Sequence, residues 1–274
     1  MVSAFQGSNP CASDNIFSIR RYIIKKISSI VLAGGKGVRM QSELPKVLHH
    51  LNGKSLIEYV VDSLNSAGID DILVVVGYRG DDVISRLGNR VNYVWQHEQL
   101  GTGHAVMQAA DYFKGYDGDI VVACGDVPLI KPSTFRNMLS EGVDPLTGAV
   151  VLTMIPENPH GYGRIVKDKD GYFVSIVEEK DASAEEKLIK EVNSGTYLFR
   201  SSLLFEGLKN ITTDNAQGEY YLPDVLSFVV KKGLKVKTTL LSDSQEGRGI
   251  NTREELFELE KYAASNSKDR VDEQ

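Results

Sequence analysis

Ile27-Ser28-Ser29-Ile30-Val31-Leu32-Ala33-Gly34-Gly35-Lys36-Gly37-Val38-Arg39-Met40 is the stretch that decides the fold. Its first half, Ile27 to Ala33, is a short apolar, β-branched run with the character of a buried strand. That run breaks at once into three glycines within four residues, Gly34, Gly35 and Gly37. A loop of this kind lets main-chain N–H groups come close to a phosphate, and Lys36 and Arg39 add positive charge. The same glycines would also serve an ordinary strand-to-helix turn, so by themselves they leave both readings open. The pattern is not a Walker loop, which needs Gly-Lys-Ser/Thr opening a helix. It is not a dinucleotide fingerprint either, because the third glycine is missing at the required spacing. Lys46, behind Pro45, is a third cation that the restricted backbone could hold toward the same phosphates.

Outward from this point, apolar runs alternate with helical patterns. Further strands are expected at Asp71 to Gly77, Val91 to Gln96, Asp119 to Cys124 and Thr147 to Ile155. Helices are expected after Ser55, which forms a capping box with Glu58, and at Asp81 to Leu87, His104 to Phe113 and Pro132 to Leu139. This order predicts an α/β fold with a mainly parallel central sheet, whose ligands sit beyond the strand C-termini. After about residue 155 the pattern turns β-rich. A hairpin of Gly163 to Lys167 with Tyr172 to Val177 is followed by a strand from Glu191 to Phe199. A helix from Gly218 to Lys231, a strand from Leu234 to Leu241 and a last helix capped by Thr252 with Glu255 complete the chain. Residues 1–26 are expected to be an N-terminal extension, 27–263 one domain, and 264–274 a flexible tail.

Composition narrows the function. The chain has 274 residues, 42% hydrophobic and 25% charged, enough for one large core. Its net charge of -6 argues against a broad nucleic-acid surface. No apolar run is long enough to span a bilayer or act as a signal peptide, so no membrane partner and a cytoplasmic location are expected. Cys11 and Cys124 have no metal-ligand spacing, and Cys124, in an apolar run, reads as a small core residue. His49, His50, His97, His104 and His160 fit no metal pattern. Ser194 has no nearby histidine to make it a nucleophile. Asp126, in Gly125-Asp126-Val127-Pro128, ends a predicted strand on the ligand side of the sheet. There a carboxylate either holds a hard cation such as Mg2+ or caps a turn.

These residues carry a resemblance over nearly all of positions 27 to 260. The matching stretches are Leu32 to Met40, Leu44 to His49, Gln96 with Glu98 to Ala105, Gly125 to Leu129, Gly161 to Val166, Val177-Glu178 with Lys180 to Ala182, Asn193, and Asn215 to Tyr221. The chain resembles the uridylyltransferase domain of bacterial bifunctional N-acetylglucosamine-1-phosphate uridylyltransferases, within the nucleotidyltransferase family of Rossmann-like fold. The resemblance implies a nucleotidyltransferase domain with an additional β-rich sugar-binding lobe. It implies Mg2+-dependent uridylyl transfer from UTP to N-acetylglucosamine 1-phosphate.

Residue by residue, the resemblance makes Lys36, Arg39 and Lys46 the catalytic cations. Leu32, Ala33, Gly34, Gly35, Gln96, Gly101 and Thr102 would bind the nucleotide, with Gln96 reading uracil. Gly163, Glu178 and Asn193 would hold the sugar, and Asp126 and Asn251 the magnesium. Without the resemblance, Glu178 and Asn193 read as a solvated strand end and a turn. Val38 departs from the family pattern, which has Thr or Ser there. The bifunctional proteins continue into a hexapeptide-repeat β-helix with an acetyltransferase site, so that second activity is expected to be absent, and the oligomeric state is left open. Other base and sugar pairs, and a non-catalytic nucleotide-sugar sensor, remain open at this stage.

Overall fold

The computed structural model describes residues 26–269. Strands β1 (Ile27–Ala33), β4 (Ile72–Val76), β5 (Asn92–Trp95) and β6 (Asp119–Cys124) lie side by side and parallel, in the order β6-β1-β4-β5. On the other side of β6 the sheet continues through β10 (Val192–Arg200), β7 (Thr147–Met154) and β11 (Lys235–Leu240). Of this path only β10 runs antiparallel to its neighbours. The β-rich part is a hairpin of β8 (Arg164–Lys167) and β9 (Phe173–Val177), attached to the end of β10 through the pair Val192 and Arg164. It is an extension of the same sheet.

Alternation along the strands divides the core between the two faces. Val31, Ile72, Val74, Val76, Val121 and Ala123 pack under α1 (Leu56–Ser66), α2 (Gly80–Leu87) and α4 (Pro132–Glu141). Ile30, Leu73, Val75, Ile120 and Val122 face the other way, against α3 (Thr102–Met107), α5 (Ser201–Leu208) and α6 (Asp224–Lys231). Both faces are covered, so the middles of β1, β4 and β6 are apolar on both sides, as a buried parallel sheet requires; the polar residues Ser28, Ser29 and Asp119 sit toward the strand starts. A third cluster, Met40, Leu51, Leu56, Ile250 and Leu259, seats α7 (Arg253–Asp269) against the end of the glycine loop.

The structure corrects several expectations. α3 stops at Met107, and the apolar residues Ala109 and Phe113 lie in a run of turns instead of helix. α6 begins at Asp224, because Gly218 to Pro223 pack against the Gly101 loop: Tyr220 N donates to Leu100 O (2.8 Å) and Leu222 N to Thr102 Oγ1 (3.1 Å). α7 runs to Asp269, into the stretch expected to be a tail. Two elements were not foreseen, α5 and a small hairpin of β2 (His50–Leu51) and β3 (Lys54–Ser55). The hairpin turns on Asn52-Gly53, both with positive φ. Residues 1–25, with Cys11, and 270–274 lie outside the described residues.

The capping box at α1 is formed. Ser55 N (3.0 Å) and Ser55 Oγ (2.6 Å) donate to Glu58 Oε2, which also accepts from Arg86 Nε (2.8 Å). Burial pushes the Glu58 carboxyl up, but these three donors outweigh it and hold the group at about 2. A carboxyl depressed in the folded state adds stability above its unfolded pKa and loses it as pH falls through the folded value. Ser55→Ala is therefore expected to cost about 1 kcal/mol in urea unfolding at neutral pH. That cost should shrink as the pH is lowered from about 4.5 toward 2, and a pH-independent cost would contradict the assignment.

Candidate active site

The C-terminal ends of β1, β5 and β6 open on one cleft of about 290 Å3, and the sequence explains why. β1 must leave the sheet at a point where another side chain already stands. A Cβ on Gly34 would lie 2.8 Å from Gln96 Oε1, so glycine lets the loop pass over that amide without displacing it. Gly37 has φ +59, and a Cβ there would come within 2.6 Å of Lys46 Cβ, so the loop and the Lys46 turn are in close contact. Leu32, Ala33, Gly34, Gly35, Lys46, Gln96, Gly101, Thr102 and Asp126 all line this cleft. Lys36 lies exposed on the loop without a hydrogen bond or ion pair to the described residues. Val38 is also exposed, 79%.

Gln96 is buried, and its amide has a fixed orientation. Nε2 donates to Gly101 O (3.1 Å) and contacts His104 Nδ1 (3.2 Å). A main-chain carbonyl can only accept, so the nitrogen must face Gly101. His104 Nδ1 is placed to accept the second N–H, and on the far side of the ring Gln108 Nε2 lies 3.2 Å from His104 Nε2 while donating to His104 O (3.0 Å). With both amide hydrogens engaged, Oε1 is the polar atom Gln96 can offer to a ligand. His104, which the sequence reading left without a role, thus lies against the Gln96 amide, and it stacks on Tyr220.

A charge cluster closes the other end of the cleft. Lys46 Nζ is ion-paired with Asp126 Oδ2 and donates to Asn251 Oδ1 (3.2 Å); Arg39 donates to the same Asn251 oxygen (2.9 Å). Asn251 is delivered there by its neighbours. Ile250, fully buried, donates from its N–H to Asp126 O (3.0 Å), and Arg253 holds Met40 O and Gln41 O at 3.0 Å each. Glu255 Oε2 accepts from Asn251 N and from Thr252 N (3.2 Å), and Thr252 Oγ1 accepts from Glu255 N (3.2 Å), so the expected cap forms. The cluster brings two hard oxygen donors, from Asp126 and Asn251, onto one cation. That donor set suits a small hard cation that keeps waters or phosphate oxygens as its other ligands.

Gly163, Glu178 and Asn193 form a second group on the hairpin side. Asn193 N donates to Gly163 O (2.9 Å), and Asn193 Nδ2 to Tyr197 Oη (2.7 Å). The β10 register shifts between Asn193 and Tyr197, a bulge in which Gly195 N donates to Asn193 Oδ1 (2.9 Å). Cys124 Sγ meets Gly195 O across this bulge (3.5 Å). Cys124 packs against the core on one side, as its apolar run suggested, and lines the cleft on the other, and burial pushes its thiol up to about 12. Gln99 and Glu219 line the cleft as well. The position of Cys124, last on a parallel strand and just before Gly125-Asp126, was a usable signal. Ser194 Oγ donates to Leu152 O (2.8 Å), a structural bond.

Glu178 has no side-chain hydrogen-bond partner among the described residues. Burial, followed by the charges of Asp181 and Asp224, raises its carboxyl to about 7 against the opposing pull of Arg164. A carboxyl whose pKa is raised by folding gives a contribution that is complete below its unfolded pKa and is lost as pH rises through the folded value. Thermal unfolding of the ligand-free chain should therefore show stability falling between about pH 4.5 and 7. Glu178→Gln should flatten that slope, and an unchanged slope in the variant would rule out Glu178 as its source.

A family model described as a MobA-like NTP transferase domain matches residues 29–210. The chain is 44% identical over 232 residues to the bifunctional protein GlmU of Acetivibrio thermocellus, covering 85% of this chain and 50% of that protein. It is 45% identical over 232 residues to GlmU of Halalkalibacterium halodurans, covering 85% and 51%. The chain thus spans about half the length of the curated relatives it matches. Among solved structures, a Bacillus anthracis protein assigned as a glucose-1-phosphate thymidylyltransferase superposes with a TM-score of 0.71 at 23% identity. The match covers 87% of this chain and 95% of that one, a likeness of fold. The matched family model runs from β1 through α5, well over half of the chain, and the chain belongs to the MobA-like NTP transferase domain family.

Proposed function

We propose that this chain transfers a uridylyl group from UTP to N-acetylglucosamine 1-phosphate, releasing pyrophosphate, with Mg2+ as cofactor. The observation that carries the reading is the pairing, in one cleft, of an oriented Gln96 carbonyl with the Lys46, Arg39, Asp126 and Asn251 cluster. Uracil carries an N3–H that such a carbonyl can accept, whereas cytosine has a lone pair at that position. The likeness to half of GlmU supports the sugar-phosphate acceptor.

The reaction is an in-line displacement. An oxygen of the sugar 1-phosphate forms a bond to the α-phosphorus, and the bond from that phosphorus to the bridging oxygen breaks, its electron pair leaving with pyrophosphate. No enzyme nucleophile is needed, so the side chains act by position and charge. Main-chain N–H groups of Gly34 and Gly35, with Lys36 and Arg39, hold the triphosphate, and Lys46 faces the α-phosphate. Gly101 and Thr102 flank the base. Gly163, Glu178 and Asn193 orient the sugar hydroxyls and amide. Mg2+ bound by Asp126 and Asn251 would supply charge neutralisation between the two phosphates.

The test is pyrophosphate release by the purified chain with Mg2+, across UTP, dTTP and CTP with N-acetylglucosamine, N-acetylgalactosamine and glucose 1-phosphates. Release should be fastest with UTP and N-acetylglucosamine 1-phosphate, and CTP should be poor. Asp126→Ala should lower turnover by at least about a hundredfold while leaving the circular dichroism spectrum intact. Another preferred pair would correct the substrates, and silence with every pair would overturn the enzymatic reading.

A further inference from the structure

We propose that Lys46 is an internal cation that closes the Asp126 and Asn251 oxygens to a divalent metal until a triphosphate draws it away, so that metal and nucleotide bind in mutual dependence. The proposal rests on the function argued above. Lys46 engages both oxygens at once, as an ion pair to Asp126 and a hydrogen bond to Asn251 (3.2 Å), while Arg39 takes the Asn251 oxygen from another side (2.9 Å). The side chains of Lys46 and Asp126 are only 19% and 17% exposed, so the pair is weakly screened. A metal ion needs the same oxygens, and a dication beside an ammonium on one carboxylate is repelled by it.

Lys46 has another place to go. Its backbone follows Pro45 and runs against Gly37 of the glycine loop. From there a flexible four-carbon stem can reach either the carboxylate or a phosphate seated on that loop. Arg39, itself part of the loop, has the same choice. An arriving triphosphate therefore takes up the two cations and frees the two oxygens in one event. Linkage makes the effect reciprocal: the factor by which nucleotide tightens the metal is the factor by which metal tightens the nucleotide.

The experiment is Mn2+ binding to the full chain without nucleotide, read from the electron paramagnetic resonance signal of free Mn2+, for wild type, Lys46→Met and Lys46→Gln. Calorimetric binding of UTP to wild type is measured alongside, in a chelator and with Mn2+, and Mn2+ should tighten it. Wild type should bind Mn2+ weakly, and either Lys46 variant at least about tenfold more tightly, because it leaves the Asp126 carboxylate without its cation. Adding Asp126→Asn to Lys46→Met should abolish the gain and so locate it. Variants that bind Mn2+ no more tightly than wild type overturn the proposal, whatever UTP does. Failure of wild type to bind UTP with Mn2+ present overturns the functional reading, UTP bound equally well with and without Mn2+ overturns the coupling, and the Mn2+ comparison of the variants decides the role of Lys46 independently.

Discussion

One hydrogen bond, from Ile250 N to Asp126 O at 3.0 Å, ties the last part of the domain to the edge of its central strand, and the charge cluster depends on it. Asp126 reaches the cleft because β6 ends there. Asn251 has no such strand to carry it and arrives on an irregular segment 125 residues later. What fixes that segment is the burial of Ile250 with Met40 and Leu259, so an apolar contact positions a polar one. The same contact braces the end of the glycine loop. The Arg39 and Lys46 cations and the Asn251 oxygen donor are thus braced by a single small core beneath them.

Parallel pairing of β1 with β4 and β6 brings the loops after all three strands to one edge of the sheet, where their main-chain and side-chain groups can act together. The exception is β10, which enters antiparallel and carries a bulge beside the cleft. Its irregularity gives Asn193 two roles, one toward the hairpin through Gly163 and one toward Gly195, next to Cys124.

Much of this was legible in the sequence. β1 and β6 have the limits their apolar runs suggested, because a strand buried on both faces carries a continuous apolar run, here Ile30-Val31-Leu32 and Ile120-Val121-Val122. The helix at α1 was signalled by Ser55 and Glu58, whose interaction is local. Where tertiary contacts overrule local pattern, reading failed. Gly218 to Pro223 has helix-compatible neighbours but is drawn into contact with Gly101 and Thr102. Asn52-Gly53 was a plain turn signal that the larger helix pattern obscured. In the site, the glycine loop announced itself, yet nothing in spacing could join Lys46 to Asn251, 205 residues apart, or assign His104 to Gln96. Those pairings exist only once the sheet has formed.

The hairpin of β8 and β9 meets the seven-strand path through a single pair, Val192 and Arg164. Its apolar residues Ile165, Phe173 and Ile176 nevertheless share one core cluster with Ile120 and Val122 of β6 and with the helices α5 and α6. A change in the hairpin is therefore transmitted through side-chain packing far more than through the backbone ladder.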